Sequence, residues 1–147
     1  MDSFKKEHFE QRYRTPFPYV RPLALDELNR VTQLIKSRLR LPDSTSSATL
    51  VKEIDKIQRP VPSVNADEKS FDLLQVIPER RRRSDVVYVD WYRFDDIDEV
   101  ETSTLASFFS DFWYPSADDI DIFDRDLTWI LSVRHDGAIK LVELSME

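Results

Sequence analysis

The chain contains no cysteine. That excludes disulfides, thiolate nucleophiles, sulfur-ligated zinc and iron–sulfur clusters together. It contains one glycine, Gly137. Phosphate-cradling loops need several glycines so that the backbone can approach the ligand, so a P-loop and a dinucleotide fingerprint are excluded as well. There is no apolar run near the ~18 residues that a membrane helix needs. The first residues, Met1-Asp2-Ser3-Phe4-Lys5-Lys6-Glu7-His8, interrupt any apolar core of a signal peptide with charge. A cytoplasmic protein without a membrane anchor is expected.

What is present is enough to fold. The 147 residues fit one domain, and 41% are hydrophobic and 12% aromatic, too many for a chain that never packs them. Charge is uneven. Residues 1–84 carry 17 Lys and Arg against 12 Asp and Glu, whereas residues 85–126 carry 13 acidic residues against Arg93 and Arg125. Such a block repels phosphate, so nucleic acid is not expected on the acidic face.

Apolar periodicity sets the elements. Residues 1–23 hold Phe4, Phe9, Tyr13, Phe17 and Tyr19 among three prolines, which predicts an aromatic N-terminal arm with a short helix over 5–11. Leu25, Leu28, Val31, Ile35 and Leu39 recur every three or four residues and predict a helix over 24–39 that stops before Pro42. Ser46 or Ser47 can cap a second helix reaching Gln58, with Leu50, Ile54 and Ile57 on one face. Residues 59–70, opened by Pro60 and Pro62, read as a linker. Residues 71–77 suit a strand. Residues 85–93 suit a clearer one, with Val87, Val89 and Trp91 alternating, and the two can pair across Arg80, Arg81, Arg82 and Arg83. Leu105, Phe108, Phe109 and Phe112 predict a helix over 102–112, and a short strand is expected at 120–123.

The closing hairpin can be argued to its register. A three-residue loop, His135-Asp136-Gly137, sets Val133 opposite Ile139 and Leu131 opposite Leu141. All the apolar residues then share a face, and Gly137 takes the left-handed position such loops require. The expected fold is a single α+β domain, a mostly antiparallel sheet with helices packed on one face.

Chemistry-bearing clusters are few. Asp118, Asp119, Asp121, Asp124 and Asp126 form an oxygen-rich run of the kind calcium and magnesium favour. Counted as a calcium loop from Asp119, however, the sixth residue is Asp124 instead of Gly and the twelfth is Leu131 instead of Glu. A solvated strand edge, with Ile120 and Ile122 inward and the aspartates outward, is the simpler reading. Asp90, Asp95 and Asp96 offer carboxylates for hydrolytic chemistry only if two converge in a cleft. His135 and Asp136 are adjacent on a tight turn, where neighbouring side chains point apart, and no Gly-x-Ser-x-Gly elbow accompanies them. The four arginines at 80–83 can touch an anion, or simply keep a hairpin tip soluble. No cofactor and no metal is expected.

One constellation remains, acidic residues among aromatics: Asp90-Trp91-Tyr92-Arg93-Phe94-Asp95-Asp96, then Phe112-Trp113-Tyr114-Pro115 and Asp118-Asp119. Trp91 fits the core face of its strand. Tyr92, Trp113 and Tyr114 are expected as exposed anchors, with Asp95, Asp96, Asp118, Asp119 and Asp121 as the charged contacts of a basic protein partner. These segments, with Trp129-Ile130-Leu131-Ser132-Val133-Arg134-His135-Asp136-Gly137, resemble the C-terminal half of small acidic immunity proteins of bacterial polymorphic-toxin systems. The resemblance covers about a third of the chain. It implies a non-enzymatic inhibitor that binds a cognate toxin, a basic nuclease being one natural target, and blocks its active site or an essential surface. Residues 1–84 carry no such resemblance, and their net positive charge does not fit an all-acidic inhibitor. A general interaction domain and a divalent-metal enzyme built on the aspartates are the alternatives.

Overall fold

The computed structural model describes residues 1–18, 21–79, 85–91 and 93–144. The arginines at 80–83 and Tyr92 lie outside them. The elements follow in the order α1 (Ser3–Tyr13), β1 (Arg21–Pro22), α2 (Leu25–Arg38), α3 (Ser47–Ile57), β2 (Arg59–Pro60), α4 (Leu73–Val76), β3 (Val86–Asp90), β4 (Ile97–Glu101), α5 (Thr102–Ser107), α6 (Phe109–Phe112), β5 (Ile120–Phe123), β6 (Trp129–Val133) and β7 (Ile139–Glu143). The strands form one antiparallel sheet in the order β1-β4-β3-β5-β6-β7-β2. The fold is a single α+β domain, the class the sequence predicts.

The helices, however, cover both faces of the sheet instead of one. Strand residues of one parity (Val87, Val89, Val100, Ile120, Ile122, Trp129, Leu131, Val133 and Ile139) pack under α1, α4, α5 and α6 through Phe9, Leu73, Leu105 and Phe112. The other parity (Ile97, Phe123 and Ile130) packs under α2 and α3 through Val31, Ile35, Leu50 and Ile54. Period two therefore sorts residues between two cores, not between core and water.

Local chemistry explains most boundaries. Ser46 caps α3 by accepting the Thr49 N–H at 3.2 Å. In α2, Leu25 occupies the first helical position and stays 73% exposed, although it fits the apolar stripe. The helix predicted over 102–112 breaks at Phe108, whose φ of −118° and ψ of 28° leave the helical region. The break turns Phe108 onto Phe9 and Tyr13, ring centroids 5.2 and 5.5 Å away.

The strand expected over 71–77 is a helical turn. Asp72 accepts the Leu74 N–H at 3.0 Å and starts α4, and Leu73, Val76 and Ile77 are buried at helical spacing. The partner place beside β3 is filled by β4 on one side and β5 on the other. The expected linker at 59–70 is tied down. β2 pairs with β7, Ala66 N–H donates to Gly137 O at 2.9 Å, and Asn65 Nδ2 donates to Asp136 O at 3.2 Å.

Both edges of the sheet end in an Arg-Pro pair, Arg21–Pro22 and Arg59–Pro60. A proline lacks the N–H that another strand would use, and arginine adds charge, so both edges are blunted against further pairing.

The hairpin has the register read from sequence: Val133 faces Ile139 and Leu131 faces Leu141. Arg134 N–H donates to Ala138 O at 3.0 Å, closing a loop of His135, Asp136 and Gly137. Gly137 has φ +84°, and a Cβ there would collide with the Asn65 side chain. Gly137→Ala is therefore expected to lower stability by about 2 kcal/mol, from backbone strain and loss of the Asn65 contact. Urea unfolding checks this, with an unchanged slope showing that only stability has moved.

Candidate functional site

Helix α1 lies across α6 and delivers Lys5 to the turn after it. Spacing explains the placement: Lys5 is one helical turn before Phe9, so both share the buried face of α1. Lys5 is 1% exposed. Its Nζ donates to Phe112 O at 2.6 Å and to the Asp118 carboxylate. It also stands 4.3 Å from the Tyr114 ring centroid and 4.7 Å from that of Trp91. Burial depresses the Lys5 pKa, opposed by the hydrogen bond and charge of Asp118. The two aromatic faces add cation–π attraction to a desolvated ammonium.

Asp118 also fixes the turn. It accepts the Tyr114 N–H at 2.7 Å, and its backbone oxygen accepts the Trp113 indole N–H at 3.0 Å. Trp113 is thereby drawn into the core, 2% exposed and stacked on Phe109. The expectation of an exposed Trp113 anchor is corrected: its ring fills the α6–sheet interface and its one polar atom is satisfied inside the turn. Tyr114 remains half-buried, and Phe4, 40% exposed, packs against it at 5.8 Å. His8 packs edge-on to Phe4 at 5.5 Å.

A rim of carboxylates borders these rings. Asp96 accepts the Met1 ammonium at 2.6 Å, and Asp98 stands 3.4 Å from it. Asp98 also accepts the Trp91 indole N–H at 2.9 Å. Burial raises the Asp98 pKa, against the pull of the ammonium and Trp91. Asp95 is exposed and bonds to nothing among the described residues.

The sheet divides the remaining aspartates. Asp119 accepts the His135 N–H at 2.8 Å and approaches its Nδ1 at 3.0 Å. Partial burial works against ionisation there, but the two His135 bonds outweigh it and the Asp119 pKa falls. Asp121 lies on the opposite face of the sheet from Lys5 and is 6% exposed. It is not the outward contact that the sequence suggested, because α3 covers that face. Ser132 Oγ donates to it, and Arg134 Nη1 is 3.4 Å away. Burial raises its pKa in spite of Arg134. Asp124 is spent on the β5–β6 turn, accepting the Thr128 N–H at 2.7 Å and the Thr128 hydroxyl at 2.6 Å.

The aspartate run thus points to separate places. Among the described residues no three His, Asp or Glu converge to hold a metal ion. Asp90 is buried and accepts the Phe94 N–H at 2.9 Å, whereas Asp95 and Asp96 are exposed, so the three do not share a cleft as a carboxylate pair would require. His135 pairs with Asp119, while Asp136 accepts the Ala138 N–H at 3.0 Å. Of the eight residues expected at a partner surface, the structure gathers Tyr114, Asp96 and Asp118 around α1. It adds Phe4, Lys5 and Asp98, which sequence reasoning did not single out. The Lys5 to Phe9 spacing was the available signal.

Compared with protein-family models, curated proteins and solved structures, the chain gives no significant match to any of them. No helix among the described residues is long and apolar enough to cross a membrane.

Removing one partner of a buried ion pair strands the other. Lys5→Met is expected to destabilise by about 3 kcal/mol, and adding Asp118→Asn to recover part of that loss; a double-mutant cycle in urea measures the coupling. Asp121 gives a pH signature. Its folded pKa lies above the ordinary 3.8, so the folded state holds the proton more tightly and ionisation removes stability as pH rises through that window. Asp121→Asn should therefore gain on the parent as pH rises from about 4 towards neutrality. Urea midpoints of both proteins across that range check it.

Proposed function

We propose that the protein is a non-enzymatic binding protein that neutralises a basic protein partner, in the manner of an immunity protein against a toxin. The observation that carries this reading is the ring pair of exposed Phe4 and half-buried Tyr114, bordered by carboxylates. Beneath it, Lys5 clamps Tyr114, Trp91 and Asp118 into one arrangement before any partner arrives. Preorganised aromatics inside a charged rim are what concentrated interface energy needs. Around Lys5 and the Met1 ammonium stand Asp2, Asp96, Asp98 and Asp118, and Asp95 follows exposed beside Asp96 in sequence, so negative charge is in excess and can steer a cationic surface into contact.

The contact set differs from the sequence expectation. Phe4 and Tyr114 are the anchors, and Asp95 and Asp96 the steering charges. Asp118 acts by positioning Lys5 and Tyr114, and Trp113 and Asp121 are support. A nuclease toxin suits this surface because the Lys and Arg that bind phosphate would meet carboxylates here.

The test begins with capture of partners at low salt and continues with the purified pair. Asp95→Asn combined with Asp96→Asn should slow association about tenfold at low salt and much less at high salt. Phe4→Ala should mainly speed dissociation, by about tenfold. The captured protein should be toxic when expressed alone and harmless when co-expressed with this chain. If both sets of variants bind as the parent does, this face is not the interface.

A further inference from the structure

A second candidate site lies on the opposite face of the sheet from the Phe4–Tyr114 pair. Across four neighbouring strands, Asp90, Asp121, Ser132 and Lys140 occupy one row facing α3. Leu50 and Ile54 cover the apolar part of that face. Over the polar row, α3 instead presents Lys52, Asp55 and Lys56. The result is an open groove of about 600 Å³, within the range of small-ligand sites.

Three observations distinguish it from a solvated gap. First, its lining is positive in a chain of net charge −7. Lys52, Lys56, Arg93 and Arg134 face the three carboxylates of Asp55, Asp119 and Asp121, and Lys56 is also paired with Glu53 at 2.6 Å. Lys52 has no ion pair among the described residues. Secondly, Asp121 is nine-tenths buried yet uses one oxygen only. Ser132 and Arg134 both address Oδ1, and among the described residues no hydrogen bond reaches Oδ2. Ser132 is itself held by Gln58 Nε2 at 2.8 Å, so the carboxyl is oriented from behind. Thirdly, the turn that carries Arg93 to the groove is strained. Arg93 and Phe94 have φ of 48° and 63° in succession, and the buried Asp90 holds them through the Phe94 N–H. Left-handed non-glycine residues cost about 1–3 kcal/mol each and persist only where the surroundings enforce them.

We propose that this groove binds a small, soluble phosphorylated polyol, with Lys52, Lys56, Arg93 and Arg134 taking the phosphate and Asp121 Oδ2 taking a hydroxyl. The phosphate follows from the four cations around one opening. The hydroxyl follows from the single free oxygen at the floor. Among the described residues no aromatic ring lines the groove, so none of them offers a nucleobase a stacking face. Exposed Asp55 and Asp119 on the rim would repel a flat anionic surface, which favours a small molecule over a membrane headgroup.

Titration calorimetry on the full chain at constant ionic strength tests this, with ribose 5-phosphate, ribose and inorganic phosphate as probes. Ribose 5-phosphate should bind saturably, inorganic phosphate about tenfold more weakly, and ribose not at all. Lys52→Glu with Lys56→Glu changes only exposed side chains and should weaken ribose 5-phosphate about a hundredfold. Asp121→Asn, checked for folding by circular dichroism, should remove the preference for the sugar phosphate and leave phosphate binding unchanged. No saturable binding of either phosphate below about 10 mM, or equal binding by the lysine double variant, overturns the site. Equal affinity for phosphate and ribose 5-phosphate overturns the role of Asp121.

Discussion

Everything else in this fold depends on a sheet that is covered on both faces. With helices above and below, most polar residues on the central strands are shut off from water, whichever way they point. Each such residue must find a partner inside the protein or carry a desolvation penalty of several kcal/mol. The acidic second half of the chain makes that demand severe, because β3, β4 and β5 bring Asp90, Asp98, Glu99 and Asp121 inward. The first half answers it. Arg21 reaches Glu99 at 3.3 Å, joining Arg125 of the second half at 2.6 Å, Gln58 reaches Ser132 behind Asp121, and Lys5 reaches Asp118. The net positive charge of residues 1–84, which sits badly with an all-acidic inhibitor, has in part this structural use. It neutralises carboxylates that the sheet has taken out of water.

A second constraint is the near absence of glycine. Seven non-glycine residues among those described adopt positive φ, Arg40 and Leu127 among them. Arg40 sits just past α2, where a glycine usually ends a helix, and Leu41 N–H returns to Lys36 O at 2.8 Å to close the terminus. Such turns are held from outside: Asp90 grips the Phe94 N–H, and Asp124 grips the N–H of Thr128 beside Leu127. Buried aspartates thus do for the backbone what glycine would do by permissiveness. Replacing them should disturb turns before it disturbs any surface.

These two constraints mark where the sequence was legible. The hairpin register could be read because one glycine and five alternating apolar residues admit a single consistent pairing. Helix α2 could be read because its apolar stripe is long, and α3 because Ser46 caps it ahead of a stripe of its own. Asp121 and Asp118 could not be assigned correctly by alternation. Period two says they lie on opposite faces, but it cannot say that both faces are covered. The segment 71–77 failed for a different reason. Leu73, Val76 and Ile77 satisfy a helical spacing as well as a strand, and the Asp72 cap tipped a stretch too short for periodicity to decide. Trp113 and Phe4 exchanged roles because burial of a ring near a chain turn depends on which partner its polar atom finds, and Asp118 supplies that partner only in the folded turn.

The same division of the sheet gives the electrostatics a direction. The acidic rings around α1 lie on one side and the cation-lined groove under α3 on the other, joined by strand β5, whose residues alternate between them. A basic partner is drawn to the first side and repelled by Lys52, Lys56 and Arg134 on the second, so the field orients approach as well as accelerating it. An anion on the second side would neutralise part of that repulsion without touching the interface. The two sites are then linked through the field of the whole molecule, not through a moving element. Coulomb energy across a domain is small at physiological ionic strength, where screening acts over about 8 Å. Any coupling between them should therefore be confined to association rate and fade with salt.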